Sequence, residues 1–230
     1  NGVTQKSGNG SVSVEGIPTT EPRGIYGGND NNDDSGVMRY VSIRHGGRQL
    51  VSGSELNGLT LGAVGSKTVL EYIEIYANSD DGIEFFGGAV DAQNLVIINS
   101  YDDSLDFADG YQGTITGVYI SGVSFAGIEG SNNGANGVAT PITNAKINNV
   151  SIVKGTDAKF TASERAINFK EGGGIQTYTN LYVASDMPST FAKFGATDQP
   201  ALDVINAGNF KVNGIDFATA NNTVATYVST

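Results

Sequence analysis

"NSDDGIEFFGG", Asn78 to Gly88, decides how this chain is read, because "SYDDSLDFADG", Ser100 to Gly110, says almost the same thing again. Asp80 recurs as Asp102, Asp81 as Asp103, Glu84 as Asp106, Phe85 as Phe107 and Gly88 as Gly110, an offset of 22 residues (102 − 80). A fixed period of that length marks a stack of repeated supersecondary units. Within the repeat, Ile83-Glu84-Phe85 and Leu105-Asp106-Phe107 alternate apolar, acidic, apolar. That is strand periodicity, with the ends inside and the middle in solvent.

Two families of such triplets run along the chain. One comprises Val41-Ser42-Ile43, Ile73-Glu74-Ile75, Leu95-Val96-Ile97, Val118-Tyr119-Ile120, Val150-Ser151-Ile152 and Leu181-Tyr182-Val183. The other comprises Leu59-Thr60-Leu61, Ile83-Glu84-Phe85, Leu105-Asp106-Phe107, Ile167-Asn168-Phe169 and, less regularly, Phe191 to Phe194. Gly, Asn, Asp and Ser lie between them and suit turns that need left-handed backbone. Propeller blades need about twice this length and leucine-rich repeats need a leucine ladder, which is missing. The pattern predicts an all-β chain folded as a right-handed parallel β-helix, with coils of roughly 22 residues or more stacked at about 4.8 Å. Ile83, Phe85, Leu105, Phe107, Ile167 and Phe169 are expected to point inward.

Three stretches read as loops inserted into coils: Gly46 to Glu55, Gly130 to Pro141 and Lys154 to Glu164. Loops extruded from a solenoid often build its binding face. The reading therefore divides the chain into a cap or loop region over 1–35, coils over 36–197, and a last coil or cap over 198–230. "TDQPALDVINAG", Thr197 to Gly208, predicts one short helix in the last part.

Composition narrows the function. The 230 residues carry 24 Asp and Glu against 13 Lys and Arg, a net charge of −11. Such a surface repels phosphate backbones, so nucleic acid is not an expected partner, and cations are. There is no cysteine, which excludes disulfides, thiolate metal sites and cysteine nucleophiles. No apolar run reaches transmembrane length. The chain starts at Asn1, which reads as a processed form or an excised piece.

Stacking puts Asp80 over Asp102, Asp81 over Asp103 and Glu84 over Asp106, each pair about 5 Å apart. Like charges that close raise each other's pKa or demand a counter-ion. Neither segment holds a Lys or Arg. A hard divalent cation answers the problem, and calcium takes six to eight oxygens. Asp80, Asp81, Glu84, Asp102, Asp103 and Asp106 are the candidate calcium ligands, with carbonyl oxygens from Asn78 and Asn99 as additions. The plainer alternative is turn chemistry, with Asp and Asn bonding their own backbone and Glu84 and Asp106 on a solvated strand face.

Other motifs carry less. Asp30, Asn32 and Asp34 imitate an EF-hand start, but Ser35 stands where its glycine belongs and Val41 where its glutamate belongs. A polar surface loop is the larger expectation there, a looser calcium loop the smaller. His45 is the one histidine, so a multi-histidine zinc site is excluded, and no G-x-S-x-G elbow accompanies it. "GIYGGN" and "EGGGIQ" lack the P-loop lysine and read as turns. Glycosylation sequons stand at Asn149 and Asn221, a short pattern that carries little weight by itself.

"VEGIPTTEPRGIYGG", "SGVMRYVSIRHGG", "ELNGLTLGAVGSKTVLEYIEIYANSDDGIEFFGG" and "DDSLDFADGYQG" resemble a family of bacterial secreted or surface-attached right-handed β-helix proteins. Val14 stands where the family's pattern has isoleucine. The likeness is specific from about residue 15 to 115 and general beyond. It implies fold and export rather than an activity.

Three functions follow as expectations. The first is an extracellular or cell-surface module that binds calcium, with a structural, adhesive or glycan-binding role. The second is a polysaccharide lyase or glycoside hydrolase working in a groove, which rests on fold analogy alone. A lyase would use Arg165 or Lys170 as base; a glycosidase would pair Asp81 with Asp103 or Asp106. The chain has no tryptophan for sugar stacking, although ten tyrosines can substitute. The third is a subunit that stacks end to end through unpaired strand edges. The acidic ladder favours the binding module over an enzyme.

Overall fold

The computed structural model describes residues 2–4, 12–51, 53–157 and 165–184, and the backbone of the strands Thr190–Phe194, Phe210–Phe217 and Val228–Ser229. Among the described residues eighteen strands follow one another: β1 (Val12–Ser13), β2 (Ile25–Tyr26), β3 (Val37–Arg44), β4 (Gln49–Val51), β5 (Ser54–Glu55), β6 (Leu59–Gly62), β7 (Val69–Tyr76), β8 (Ile83–Phe86), β9 (Ala92–Ile98), β10 (Leu105–Ala108), β11 (Thr114–Ser121), β12 (Ala126–Ser131), β13 (Asn144–Val153), β14 (Arg165–Lys170), β15 (Ile175–Val183), β16 (Thr190–Phe194), β17 (Phe210–Phe217) and β18 (Val228–Ser229). From β6 on they alternate between two parallel sheets. One runs β3-β7-β9-β11-β13-β15-β17 and the other β6-β8-β10-β12-β14-β16-β18. This is the right-handed parallel β-helix expected from the repeat. No α-helix occurs among the described residues, and none there is long and apolar enough to cross a membrane. The helix expected at Thr197 to Gly208 lies outside the described residues.

The register is the one the 22-residue offset implies. Ile83, Glu84 and Phe85 pair with Leu105, Asp106 and Phe107. Ile83, Phe85, Leu105, Phe107, Ile167 and Phe169 are all buried, together with Ile73, Ile75, Leu95, Ile97, Ile115 and Ile120 from the facing sheet. The core is thus a column of stacked aliphatic and aromatic side chains, each coil covering the next.

The longer strands turn a corner in mid-run. In β7, Leu70 points in, Glu71 and Tyr72 point out, and Ile73 points in again. Two successive outward residues are possible because Tyr72 adopts left-handed backbone, φ 55°. Tyr40, Asn94, Gly117, Asn149 and Asn180 repeat that conformation on the successive coils. Asn and Gly are the residues that tolerate it, so most of the corners are chosen by ordinary turn physics.

Two hairpins sit on the outside. β4 pairs antiparallel with β5, so Gly46 to Glu55 is an inserted loop, as expected. β1 pairs antiparallel with β2, and Tyr26 lies against Phe86, ring centroids 6.1 Å apart. Gly130 to Pro141 leaves the end of β12 in turns pinned by Asn132, whose Nδ2 donates to the carbonyls of Gly137 and Ala139. Residues 158–164 of the third predicted loop lie outside the described residues.

Candidate functional site

The acidic residues meet in a cleft along the outer face of β8, β10 and β12. Asp80, Asp81, Glu84, Asp102, Asp103 and Asp106 all line a hollow of about 280 Å³. Carboxylate oxygens of Asp80, Asp81 and Asp102 come within 4.8 Å of one another, and so do those of Asp81, Glu84 and Asp106. Asp81 belongs to both groups. Its Oδ1 accepts the backbone N–H of Asp103 at 2.9 Å, so one aspartate's carboxylate ties its coil to the next.

One expectation is overturned here. Glu84 and Asp106 are not on a solvated strand face: each is only 7% exposed. Alternation does turn them outward, but distant chain covers them. Glu15 beside the first hairpin, Gly53 and Glu55 of the β4–β5 hairpin, and Asn57 complete the cleft lining. Asn57 Nδ2 donates to Glu84 Oε2 at 2.5 Å.

Glu129 is the member the repeat did not reveal. It pairs with Asp106 on one side and Asn168 on the other, extending the ladder Thr60, Glu84, Asp106, Glu129, Asn168. Its triplet is Ile128-Glu129-Gly130, with glycine in the aromatic's place. A Cβ at 130 would strike the Gln176 amide and come within 2.6 Å of the Phe107 ring, so the core there is filled from elsewhere. The interval from Glu129 to Asn168 is also stretched by the loops between them. Ile128-Glu129, 23 residues beyond Leu105-Asp106 and so one coil on, is the signal the sequence offers.

One cation reaches this end of the cleft, and a second lies behind Asn168. Lys170 Nζ donates to Glu129 Oε1 at 3.0 Å, and Asn168 Nδ2 donates to Glu129 Oε2 at 2.5 Å. Arg165 is buried, with its guanidinium over the Phe125 ring at 4.1 Å and Nη1 donating to Asn168 Oδ1 at 3.0 Å. Among the described residues Lys170–Glu129 is the one ion pair in the cleft.

The remaining carboxylates are under electrostatic strain. Burial pushes the Glu84 carboxyl up to about 8, against the pull of its Asn57 bond, and the charges of Glu15 and Asp80 add to the rise. Burial raises Asp81, Asp103 and Asp106 well above the usual carboxylate range, and neighbouring carboxylates push further: Glu84 on Asp81 and Asp106, Glu129 on Asp103. Asp80 is pushed up to about 6 by burial and by Asp102. Asp80 is half-buried and Asp102 exposed at the rim, where water screens them. The weight therefore falls on Asp81, Glu84, Asp103 and Asp106. Oδ1 of Asp103 and Oδ1 of Asp106 are buried with no hydrogen-bond partner among the described residues. A buried carboxylate oxygen left bare is costly unless a proton or a cation reaches it.

A second hollow of about 520 Å³ adjoins the first and shares Glu15, Glu84, Asp106, Glu129 and Lys170 with it. Its other walls mix apolar and polar groups, among them Tyr26, Phe86, Asn133 and Glu171. Several sequence candidates stay away. Asn78 donates to the Asp81 carbonyl at 2.7 Å and so braces the turn; neither it nor Asn99 lines the cleft. His45 packs edge-on against Tyr76. In the acidic run at 29–36, Asp30 and Asp34 accept backbone N–H groups two residues on, at 2.9 and 2.8 Å, which is turn chemistry.

A sheet-lined helix of parallel coils with an acidic cleft on one outer face defines the class. Residues 10–230 match the Pectate-lyase like beta helix domain, and the chain belongs to that family. The family thus reaches well past residue 115, where the sequence likeness loses its detail. No curated protein and no solved structure matches the chain.

Proposed function

We propose that this chain is an extracellular or cell-surface β-helix module that binds calcium in the acidic cleft and presents that cleft to a glycan or another surface component. The observation that carries the reading is the pair of buried carboxylate oxygens on Asp103 and Asp106 without a hydrogen-bond partner among the described residues, inside a cluster whose one ion pair there is Lys170–Glu129. The donors are all oxygens, which suits a hard cation; there is no cysteine, and His45 lies elsewhere. Asp80, Asp81 and Asp102 would hold it at the rim, or Asp81, Glu84 and Asp106 deeper down. Bound there, calcium supplies positive charge that stabilises the ionised carboxylates.

The test is a pair of melting curves. Calcium at about 100 times its Kd is expected to stabilise the fold by about 2.7 kcal/mol, and a chelator to reverse it. For a chain of this size that is roughly 5–10 °C in Tm. Asp106→Asn should fold and lose most of the calcium response. A Tm indifferent to calcium and chelator sinks the reading and leaves turn chemistry as the account of the acidic repeat.

Lyase or hydrolase chemistry in the same cleft is the rival, favoured by the raised Glu84 carboxyl, which would hold a proton for acid catalysis at neutral pH. Against a lyase, the amine that would serve as base is engaged. Burial pulls the Lys170 ammonium down, but the charge and hydrogen bond of Glu129 outweigh it and hold the group above its ordinary value, protonated. We expect no turnover when acidic and neutral polysaccharides are screened with and without calcium. Cleavage that vanishes in Asp103→Asn or Asp106→Asn while the fold survives would reverse that choice.

A further inference from the structure

The corners of the long strands form a row on a different outer face: Tyr40, Tyr72, Asn94, Gly117, Asn149 and Asn180. The last four obey the left-handed backbone's preference for Asn and Gly, and the first two violate it. A tyrosine at φ 56° or 55° is an outlier that local physics does not select, and such outliers gather at functional sites. Core packing does not account for them either, since Tyr40 is 77% and Tyr72 46% exposed. Their rings stack flat on each other, centroids 4.8 Å apart and planes 7° apart.

Beyond Tyr72 the row drops into a groove of about 480 Å³. Tyr119, 42% exposed, stands at its far side. The register Glu74, Val96, Tyr119 puts one coil between the two tyrosine-bearing coils, so the coils are roughly 10 Å apart. Asn94 and Val96 occupy the coil between them, and Gly117, lacking a side chain, leaves the row open between Asn94 and Asn149. Asn149 Oδ1 accepts from Asn180, which leaves its own amide N–H groups for a ligand. Asn94 makes no side-chain hydrogen bond among the described residues.

We infer that this groove is a second binding site, independent of the cation and of the acidic cleft, and that it takes a neutral saccharide. A pyranose has an apolar C–H face and a rim of hydroxyls. Rigid tyrosine rings offer area for the face at low entropic cost. Amides donate and accept, which matches vicinal hydroxyls. Charge selects the neutral sugar. The carboxylate at the groove is Glu74, and the cation near it, Arg44, is already bound to Glu74 at 2.7 Å. No lining residue is basic, and the whole chain is at −11, so an acidic glycan is disfavoured.

The test is calorimetric titration with cellohexaose, xylohexaose and mannohexaose, in a chelator so that the cleft is silent. At least one is expected to bind saturably. Tyr119→Ala should weaken it at least tenfold. Tyr72→Asn places the preferred residue at a left-handed corner, so its Tm should stay at or above wild type while binding falls at least tenfold. Tyr101→Ala, an exposed tyrosine outside the groove, should bind as wild type. No binding of any of the three sugars overturns the inference, as does binding that survives both tyrosine changes. Tyrosine-dependent dimers in sedimentation would assign the groove to a second copy of the chain and overturn it as well.

Discussion

Raising the pH from about 4.5 to about 8 in a chelator is expected to remove on the order of 5 kcal/mol of stability through Glu84 alone. The folded carboxyl titrates near 8 and the unfolded one near 4.5. A carboxyl raised on folding contributes nothing adverse while both states are protonated, below the lower value. Between the two, the unfolded chain ionises and the folded one resists, so stability falls with each pH unit at about 1.4 kcal/mol. Above the upper value the loss is complete. Asp81, Asp103 and Asp106 are raised for the same reason and act in the same direction. They are coupled to Glu84, so their losses are not to be added to it one by one. Calcium in the cleft reverses the sign of the problem, because it favours every ionised form. Denaturant unfolding across that pH range, with and without calcium, reads both curves. A cation-free chain whose stability is flat or rises over the range would mean that the cleft is wetter than its burial implies.

The second large effect belongs to the core. Phe107→Ala is expected to cost about 3–5 kcal/mol, roughly 6–20 °C in Tm for a chain of this length. Phe107 is fully buried, paired in register with Phe85, and close to Tyr111, ring centroids 6.2 Å apart. Its ring also borders the space above Gly130, so truncation opens a cavity that the neighbouring coil cannot fill with a side chain of its own. Phe107→Leu keeps most of the volume and should cost markedly less. Equal losses for alanine and leucine would mean that the aromatic contact with Tyr111, rather than cavity formation, dominates.

The site and the fold were legible to different depths. The coil register, the inward ends of each triplet and the meeting of six carboxylates could all be read from one repeated segment, because side-chain alternation and coil stacking depend only on residues one strand or one period apart. Glu129 is hidden in the sequence because its triplet ends in Gly130 rather than in a large apolar residue, and the core there is filled by the Gln176 side chain and the Phe107 ring around Gly130. Lys170 is a candidate base from sequence, but its pairing with Glu129 is not legible there, because the two are 41 residues apart and meet only after two inserted loops are taken up.

What alternation could not say is whether an outward residue meets water. Glu84 and Asp106 point away from the core as their positions demand, and yet they are buried, since Glu15, Glu55 and Asn57 close over them from other parts of the chain. The sequence by itself determined the solenoid, its period and which carboxylates share a face. Only the tertiary structure decided that the face is a covered cleft, and with it the raised titrations, the unpartnered oxygens and the case for a cation. The reason is physical: the direction of a strand side chain is set locally by the backbone pleat, whereas its desolvation is set by whatever distant chain happens to cover it.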